Sequence, residues 1–204
     1  MKSKLLPSAL AAVALLAALP ACADEGPWMV RGRILDMNPK NDNSPLSPVG
    51  KVEAEHKAFP EVDFSYFFTK NIAAELILTY PQSHDITLNG SNIGSLKHLP
   101  PTLTVQYHFM PDSDVQPYVG AGVNYTRFSD VNILGGKVTT DTDSFGLAAQ
   151  AGLDYRVAPQ WYLNLDAKYV NIETNVNGPG LGLGTITKLK IDPWLLSVGV
   201  GYRF

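Results

Sequence analysis

The sequence predicts an all-β chain: an eight-stranded antiparallel transmembrane β-barrel with short periplasmic turns and four long extracellular loops. Three observations predict it. The final stretch alternates without a break, with Trp194, Leu196, Val198, Val200, Tyr202 and Phe204 on one face and Leu195, Ser197, Gly199, Gly201 and Arg203 on the other. Period two over that length is a strand. Its apolar face carries aromatics at both ends and aliphatics between, as a strand does when Trp and Tyr sit at the two interfaces of a bilayer. Seven earlier segments alternate in the same way, separated by connections that are long and short in turn. No apolar run after residue 23 reaches the ~20 residues of a membrane helix. A chain that spans a membrane without helices must close into a barrel, because open sheet edges are not satisfied in lipid.

The first residues give an address. Lys2 and Lys4, then the Ala-rich apolar stretch Leu5 to Leu19, then Ala21-Cys22-Ala23, read as a secretory signal peptide over residues 1–23, cleaved after Ala23. The barrel then occupies 24–204. A rival reading makes Cys22 a lipidated cysteine, and the proline in Leu19-Pro20-Ala21 counts against it. Cleavage removes the chain's single cysteine, so neither a disulfide framework nor thiol chemistry is expected. Without Lys2 and Lys4 the 16 basic residues become 14 against 19 acidic, a net of −5, which gives no reason to expect nucleic acid.

The strands follow in order. The first, Trp28 to Met37, turns Val30, Gly32 and Ile34 one way and Met29, Arg31, Arg33, Leu35 and Met37 the other. A polar connection, Asn38 to Ala58, leads to the second, about Phe59 to Phe68, with Val62, Phe64, Tyr66 and Phe68 toward lipid and Glu61, Asp63 and Ser65 inward. Thr69-Lys70-Asn71 is a tight turn. The third, Ile72 to Tyr80, puts Leu76 and Leu78 outside and Glu75 inside. A long connection, Pro81 to Leu99, precedes the fourth strand, Thr102 to Phe109. The short turn Met110 to Gln116 leads to the fifth, Pro117 to Phe128, with Gly120, Gly122 and Asn124 inward. Ser129 to Asp143 is the third long connection. The sixth strand carries Phe145 to Tyr155 on its outer face, Val157 to Gln160 turns, and the seventh alternates from Trp161 to Tyr169. A Gly-rich connection from Glu173 reaches the last strand. Trp28, Trp161, Trp194, Tyr202 and Phe204 are expected as membrane anchors. An even strand number places both termini on the periplasmic side.

The inward residues divide into two regions. Toward the periplasm they are charged: Arg31, Arg33, Glu61, Asp63, Glu75, Asp154, Asp166, Lys168 and Arg203. Buried charges must be paired, so these predict a salt-bridged polar plug rather than a continuous pore. Toward the outside, Arg31 and Arg33 give way to Leu35 and Met37, and Asp166 and Lys168 to Val170 and Ile172. The approach to the last strand offers Leu189, Ile191 and Leu195 inward, with Lys188, Lys190 and Asp192 outward. An extended barrel with an apolar pocket in its outer half fits this inversion. Plain packing of the loops by the same residues fits it too. Pro81 ends the third strand, and Pro100 and Pro101 begin the fourth. Proline gives no ladder donor, so a weakened seam between neighbouring strands is expected there.

His98-Leu99-Pro100-Pro101-Thr102, Val115 through Thr126, and Asp192-Pro193-Trp194 through Tyr202-Arg203-Phe204 resemble the OmpW family of small outer-membrane proteins. The likeness runs the length of the mature chain and is weakest in the first long loop and at Gly178 to Gly184. It implies an eight-stranded monomeric barrel in the bacterial outer membrane. It also implies uptake of small hydrophobic molecules, released sideways into the lipid through an opening at Pro100 or Pro101. The last strand resembles the closing strand of such barrels, whose terminal aromatic, here Phe204, is read by the barrel-assembly machinery.

Other chemistry finds little support. His56, His84, His98 and His108 lack metal-site spacing, so no metal or cofactor is expected. Asn41-Asp42-Asn43 and Asp141-Thr142-Asp143 lack the glycine and distal glutamate of a calcium loop. A lipid-modifying enzyme would need a specified constellation near the rim, which Ser83, His84 and His98 do not make. A structural or adhesive barrel whose loops bind host factors or surface lipid stays open beside the transport reading.

Overall fold

A computed structural model of the chain describes residues 26–40, 42–43, 52–54 and 56–204. The signal-peptide reading, Cys22 included, and Asn41 lie outside the described residues. Eight long strands form the barrel: β1 Trp28–Asn38, β2 Lys57–Phe67, β3 Ile72–Thr79, β4 Thr102–His108, β5 Val115–Ile133, β6 Asp143–Ala158, β7 Trp161–Val170 and β8 Trp194–Arg203. Each pairs antiparallel with its sequence neighbours. The ring closes where β1 meets β8, Met29 opposite Arg203 and Asn38 opposite Trp194. No barrel edge is left unpaired, which is what a sheet in hydrocarbon requires.

The faces follow the alternation. Ile34, Val62, Leu76, Val105, Val123, Leu165 and Val198 point out and are exposed, a wall that only lipid can cover. Aromatic rings border this wall on both sides. At the periplasmic end Trp28 packs edge-on to Tyr66 at 4.9 Å between centroids, and Tyr107 to Phe109 at 5.2 Å. At the outer end Tyr169 meets Trp194 at 5.4 Å, and Tyr125 meets Phe145 at 4.8 Å. Trp28, Trp194 and Phe204 are exposed, and Trp161 is half-buried. Tyr202 corrects the expectation for an anchor. It has the outward parity but is buried, because Trp161 lies 4.9 Å from it and its hydroxyl donates to Gln160 Oε1 at 2.9 Å.

The long connections are more ordered than the sequence reading made them. Pro81 to Leu99 contains a hairpin, Gln82–Leu88 and Ser91–Leu99, turned by Asn89-Gly90 with φ of +49° and +82°. Positive φ at both central residues is the two-residue turn that Asn-Gly favours. The second arm runs on beside β5, Leu99 opposite Arg127 and Gly94 opposite Ile133. The fourth connection is likewise a hairpin, Glu173–Asn177 with Thr185–Lys190. The strands therefore continue above the membrane, where the inner face is apolar. Leu35, Met37, Phe59, Ile86, Leu96, Phe128, Val170, Ile172, Leu189 and Ile191 belong to one buried cluster there.

Outside the membrane this second hairpin carries its own ion pair. Glu173 is held between Lys188 and Lys190, the latter at 3.2 Å. The bond from Lys188 chiefly, with Lys190 behind it, holds the Glu173 carboxyl below the usual carboxylate range. A lowered folded value contributes stability above the unfolded pKa that is lost as pH falls through the folded one. The protection of amides 173–177, with the intrinsic pH dependence of exchange divided out, is therefore expected to fall at acidic pH in the wild type, and Glu173→Gln to abolish that dependence with a small effect at neutral pH, since the pair is part-exposed.

Candidate functional site

The inner face of the barrel's periplasmic half is a buried network of ions. Arg31, fully buried on β1, forks onto Asp154 of β6, at 2.7 Å from Nη2 and 3.1 Å from Nε. Its Nη1 reaches Asp63 at 3.0 Å and Ser65 at 2.8 Å. Arg33 lies two residues further along the same face. Its guanidinium contacts Glu61 at 2.9 Å, Asp63 at 2.6 Å and Glu75 at 2.8 Å, with Asp166 at 3.8 Å. Lys168 closes the outer side on Glu61 at 2.8 Å and Asp166 at 3.2 Å. Glu75 also accepts from Thr104, Gln106 and Gln150. Tyr118 donates to Asp166 at 2.8 Å. Period two makes this possible: every second residue of each strand points to the axis, so strands far apart in sequence meet there.

Small residues clear the space. A Cβ at Gly152 would lie 2.3 Å from the Tyr118 ring, and one at Gly199 would lie 2.6 Å from Arg33 Cγ. These ions are buried, and an unpaired one there would be expensive, so their dense pairing is what the site requires. Eight of the nine residues expected in the polar plug come together. Arg203 does not join them. It sits at the periplasmic end, its Cζ 4.0 Å from the Phe67 ring centroid and its Nε donating to the Gly26 carbonyl at 3.0 Å. Alternation assigned its face correctly, but its level on the strand is below the carboxylates.

Above the ions the lining turns apolar. Leu35, Met37, Val170, Ile172 and Leu195 converge with Phe59 on a chamber floored by Glu61 and Lys168. Leu189 and Ile191 belong to the same buried cluster but do not line the chamber; Ile191 is level with Ile172, to whose carbonyl its N–H donates at 2.9 Å. In this conformation the chamber is filled by its own side chains. The open space is about 20 Å³, and 10–15 Å³ already holds roughly one water. The packing and the pocket readings of these residues thus fall in one place, a greasy core with little room.

One wall of the chamber is irregular. The β3–β4 ladder ends with Ile77 opposite Thr102, and the ladder of the hairpin above begins with Gln82 opposite His98. Between them four residues, 78–81, face three, 99–101. Among the described residues no backbone hydrogen bond joins 79–81 to 99–101. All three expected prolines, Pro81, Pro100 and Pro101, stand along this gap. Their two sides are not equivalent. Tyr125 N–H donates to the Pro101 carbonyl at 3.0 Å, so the backbone of Pro101 faces β5. Along a strand the backbone groups point alternately to the two neighbours. Pro100 therefore faces β3, opposite Thr79, and its missing N–H is a missing bond across the seam. The chamber touches Pro100, Thr102 and Asn124 from inside. A depression of about 170 Å³ on the outer wall, lined by Leu76, Pro101, Leu103, Val123 and Phe145, touches Thr102 and Asn124 from the lipid side. Chamber and bilayer are separated here by a single layer of residues. Sequence reading placed Asn124 inward but gave it no role. Its importance rests on the β4–β5 register, which no local pattern discloses.

Comparison with known proteins settles the lineage of this arrangement. The model of the OmpW family matches residues 24–204, the whole barrel. The chain belongs to the OmpW family. Outer membrane protein W of Vibrio cholerae is 36% identical over 96% of this chain and 97% of its own length. The crystal structure of the outer membrane protein OprG from Pseudomonas aeruginosa superposes with a TM-score of 0.75 at 30% identity, covering 87% of this chain and 95% of that one. A more distant relative, the dibenzothiophene metabolism operon protein PahQ of Pseudomonas aeruginosa, is 26% identical over 92% of this chain and 93% of its own. The protein is thus an outer-membrane β-barrel of the OmpW type.

Proposed function

We propose that the protein is a passive channel for small hydrophobic molecules. A solute enters from outside, displaces the side chains of the apolar chamber, is stopped by the ion-paired plug, and leaves sideways into the bilayer through the seam at Pro81, Pro100 and Pro101. The observation that carries this reading is the position of the chamber. It lies directly on the plug and is divided from lipid by one layer of wall, beside a stretch of seam without backbone hydrogen bonds. Going down would strip buried ions of their partners. Going sideways takes an apolar solute from one apolar medium to another. The name of PahQ, which ties that relative to dibenzothiophene metabolism, supports an apolar cargo. Phe204, exposed next to the β1–β8 closure, is the residue we assign to recognition by the barrel-assembly machinery, and residues 1–23 to export.

Uptake by vesicles with a lipopolysaccharide outer leaflet tests the reading. Naphthalene is expected to enter protein-bearing vesicles faster than empty ones, and glucose is not. Equal acceleration of glucose would mean an open pore through the plug. Acceleration of neither would end the transport reading and leave a structural or adhesive barrel acting through its loops.

A further inference from the structure

The seam has one lip that is tied down. The Asn124 side chain, 1% exposed on β5, directs its amide nitrogen at the proline segment. It lies 3.2 Å from the Pro101 carbonyl, 3.4 Å from the Pro100 carbonyl and 2.8 Å from Thr102 Oγ1. Thr126 Oγ1 donates to Asn124 Oδ1 at 2.7 Å and so fixes which end of the amide faces the prolines. Thr126 is fully buried, and Thr102 Oγ1 adds its own bond to the Pro100 carbonyl at 3.3 Å. The logic is compensation. Pro101 faces β5 and cannot donate to it, so the β4–β5 ladder is one bond short at that level. The Asn124 amide joins the same two strands by another route. Among the described residues nothing comparable crosses from 79–81 to 99–101. The nearest side-chain bond, Gln82 Nε2 to the Tyr80 carbonyl at 3.1 Å, stays within its own lip.

We infer that Asn124 is a positioning residue that anchors the proline lip to β5 and thereby sets how wide the seam opens. The inference rests on the lateral-release reading for its consequence, but the anchor is a matter of hydrogen bonds and is measurable without transport. With the lip held, only the 79–81 side yields, and the opening passes slender solutes. With the lip released, both sides yield and bulkier ones pass.

The test uses the full chain in lipid, with Asn124→Leu as the variant of similar shape without donors. Thr126→Val, which removes only the orienting bond, serves as a second variant should the first fail to assemble. Exchange of the Tyr125 amide, whose bond to the Pro101 carbonyl the anchor protects, is expected to quicken about three- to tenfold, the effect of roughly one net hydrogen bond. The Gly122 amide, within the regular ladder, serves as the internal control. The uptake ratio of pyrene to naphthalene is expected to rise by a similar factor. Unchanged Tyr125 exchange in an assembled variant would overturn the anchor. Faster exchange with an unchanged ratio would overturn its role in setting width. Wild-type protein that admits neither hydrocarbon would sink the transport reading, and the exchange result would still decide the anchor.

Discussion

Replacing Arg33 with methionine is expected to lower the unfolding free energy by about 3–5 kcal/mol, the usual penalty for removing one partner of a buried ion network. The size follows from what is left behind. Arg33 contacts Glu61, Asp63 and Glu75 within 2.9 Å, and all three carboxylates are buried. Without it Arg31 and Lys168 are the remaining cations of the cluster, facing five carboxylates: Glu61, Asp63, Glu75, Asp154 and Asp166. All five carboxylates are buried, so the surplus charge is poorly solvated. Arg33→Lys keeps the charge but not the planar guanidinium that donates to Glu75 and Asn164 while lying against Glu61 and Asp63, and an intermediate loss is expected. Adding Glu75→Gln to Arg33→Met removes one orphaned charge and should recover part of the loss, a coupling that a double-mutant cycle reads directly. The measurement is denaturant unfolding in vesicles, followed by fluorescence of Trp28, Trp161 and Trp194. A loss below about 1 kcal/mol, the range of exposed pairs, would mean that water already enters the cluster and that the plug is not dry.

How far this could be read in the sequence depends on which interactions are local. The barrel itself was legible, because outward Val, Leu and aromatic residues at every second position need only the strand's own period. The plug was nearly so: inward charges on several strands leave one place to meet. Arg203 was the exception, since parity gives a residue's face but not its height. The extracellular hairpins were read as loops for a physical reason. Above the lipid the polar face turns outward, so Gln82–Leu88 and Ser91–Leu99 carry the wrong polarity for a membrane strand, although Asn89-Gly90 is a strong hairpin signal in its own right. Of the seven residues expected in a pocket, Leu35, Met37, Val170, Ile172 and Leu195 line the chamber and Leu189 and Ile191 do not, and the close packing is not legible in the sequence. How far Leu35, Met37 and Phe59 fill a shared volume depends on the barrel's width and on loop residues such as Ile86 and Leu96. Asn124 was invisible for the same kind of reason. Whether it faces Pro101 or its neighbour is decided by register between two strands, and a slip of one would turn it to lipid.

Alanine at Pro100 is expected to reduce apolar uptake about fivefold, while alanine at Pro101 changes it little. The difference comes from the alternation of backbone groups. Pro100 faces β3 opposite Thr79, so an N–H there gains a partner across the seam and extends the β3–β4 ladder by one bond. A bond of about 1 kcal/mol shifts a closed–open equilibrium by roughly five-fold. An N–H at Pro101 points instead to β5, a side already joined by Tyr125 and by Asn124. Strengthening it leaves the seam as it was. Both substitutions also relieve the fixed φ of proline, so a general loosening would raise uptake in both variants. Uptake that falls in both equally would place the barrier somewhere other than the 79–100 contact. Only a fall confined to Pro100→Ala assigns the opening to the β3 side of the proline lip, and naphthalene entry into vesicles carrying each variant separates these outcomes.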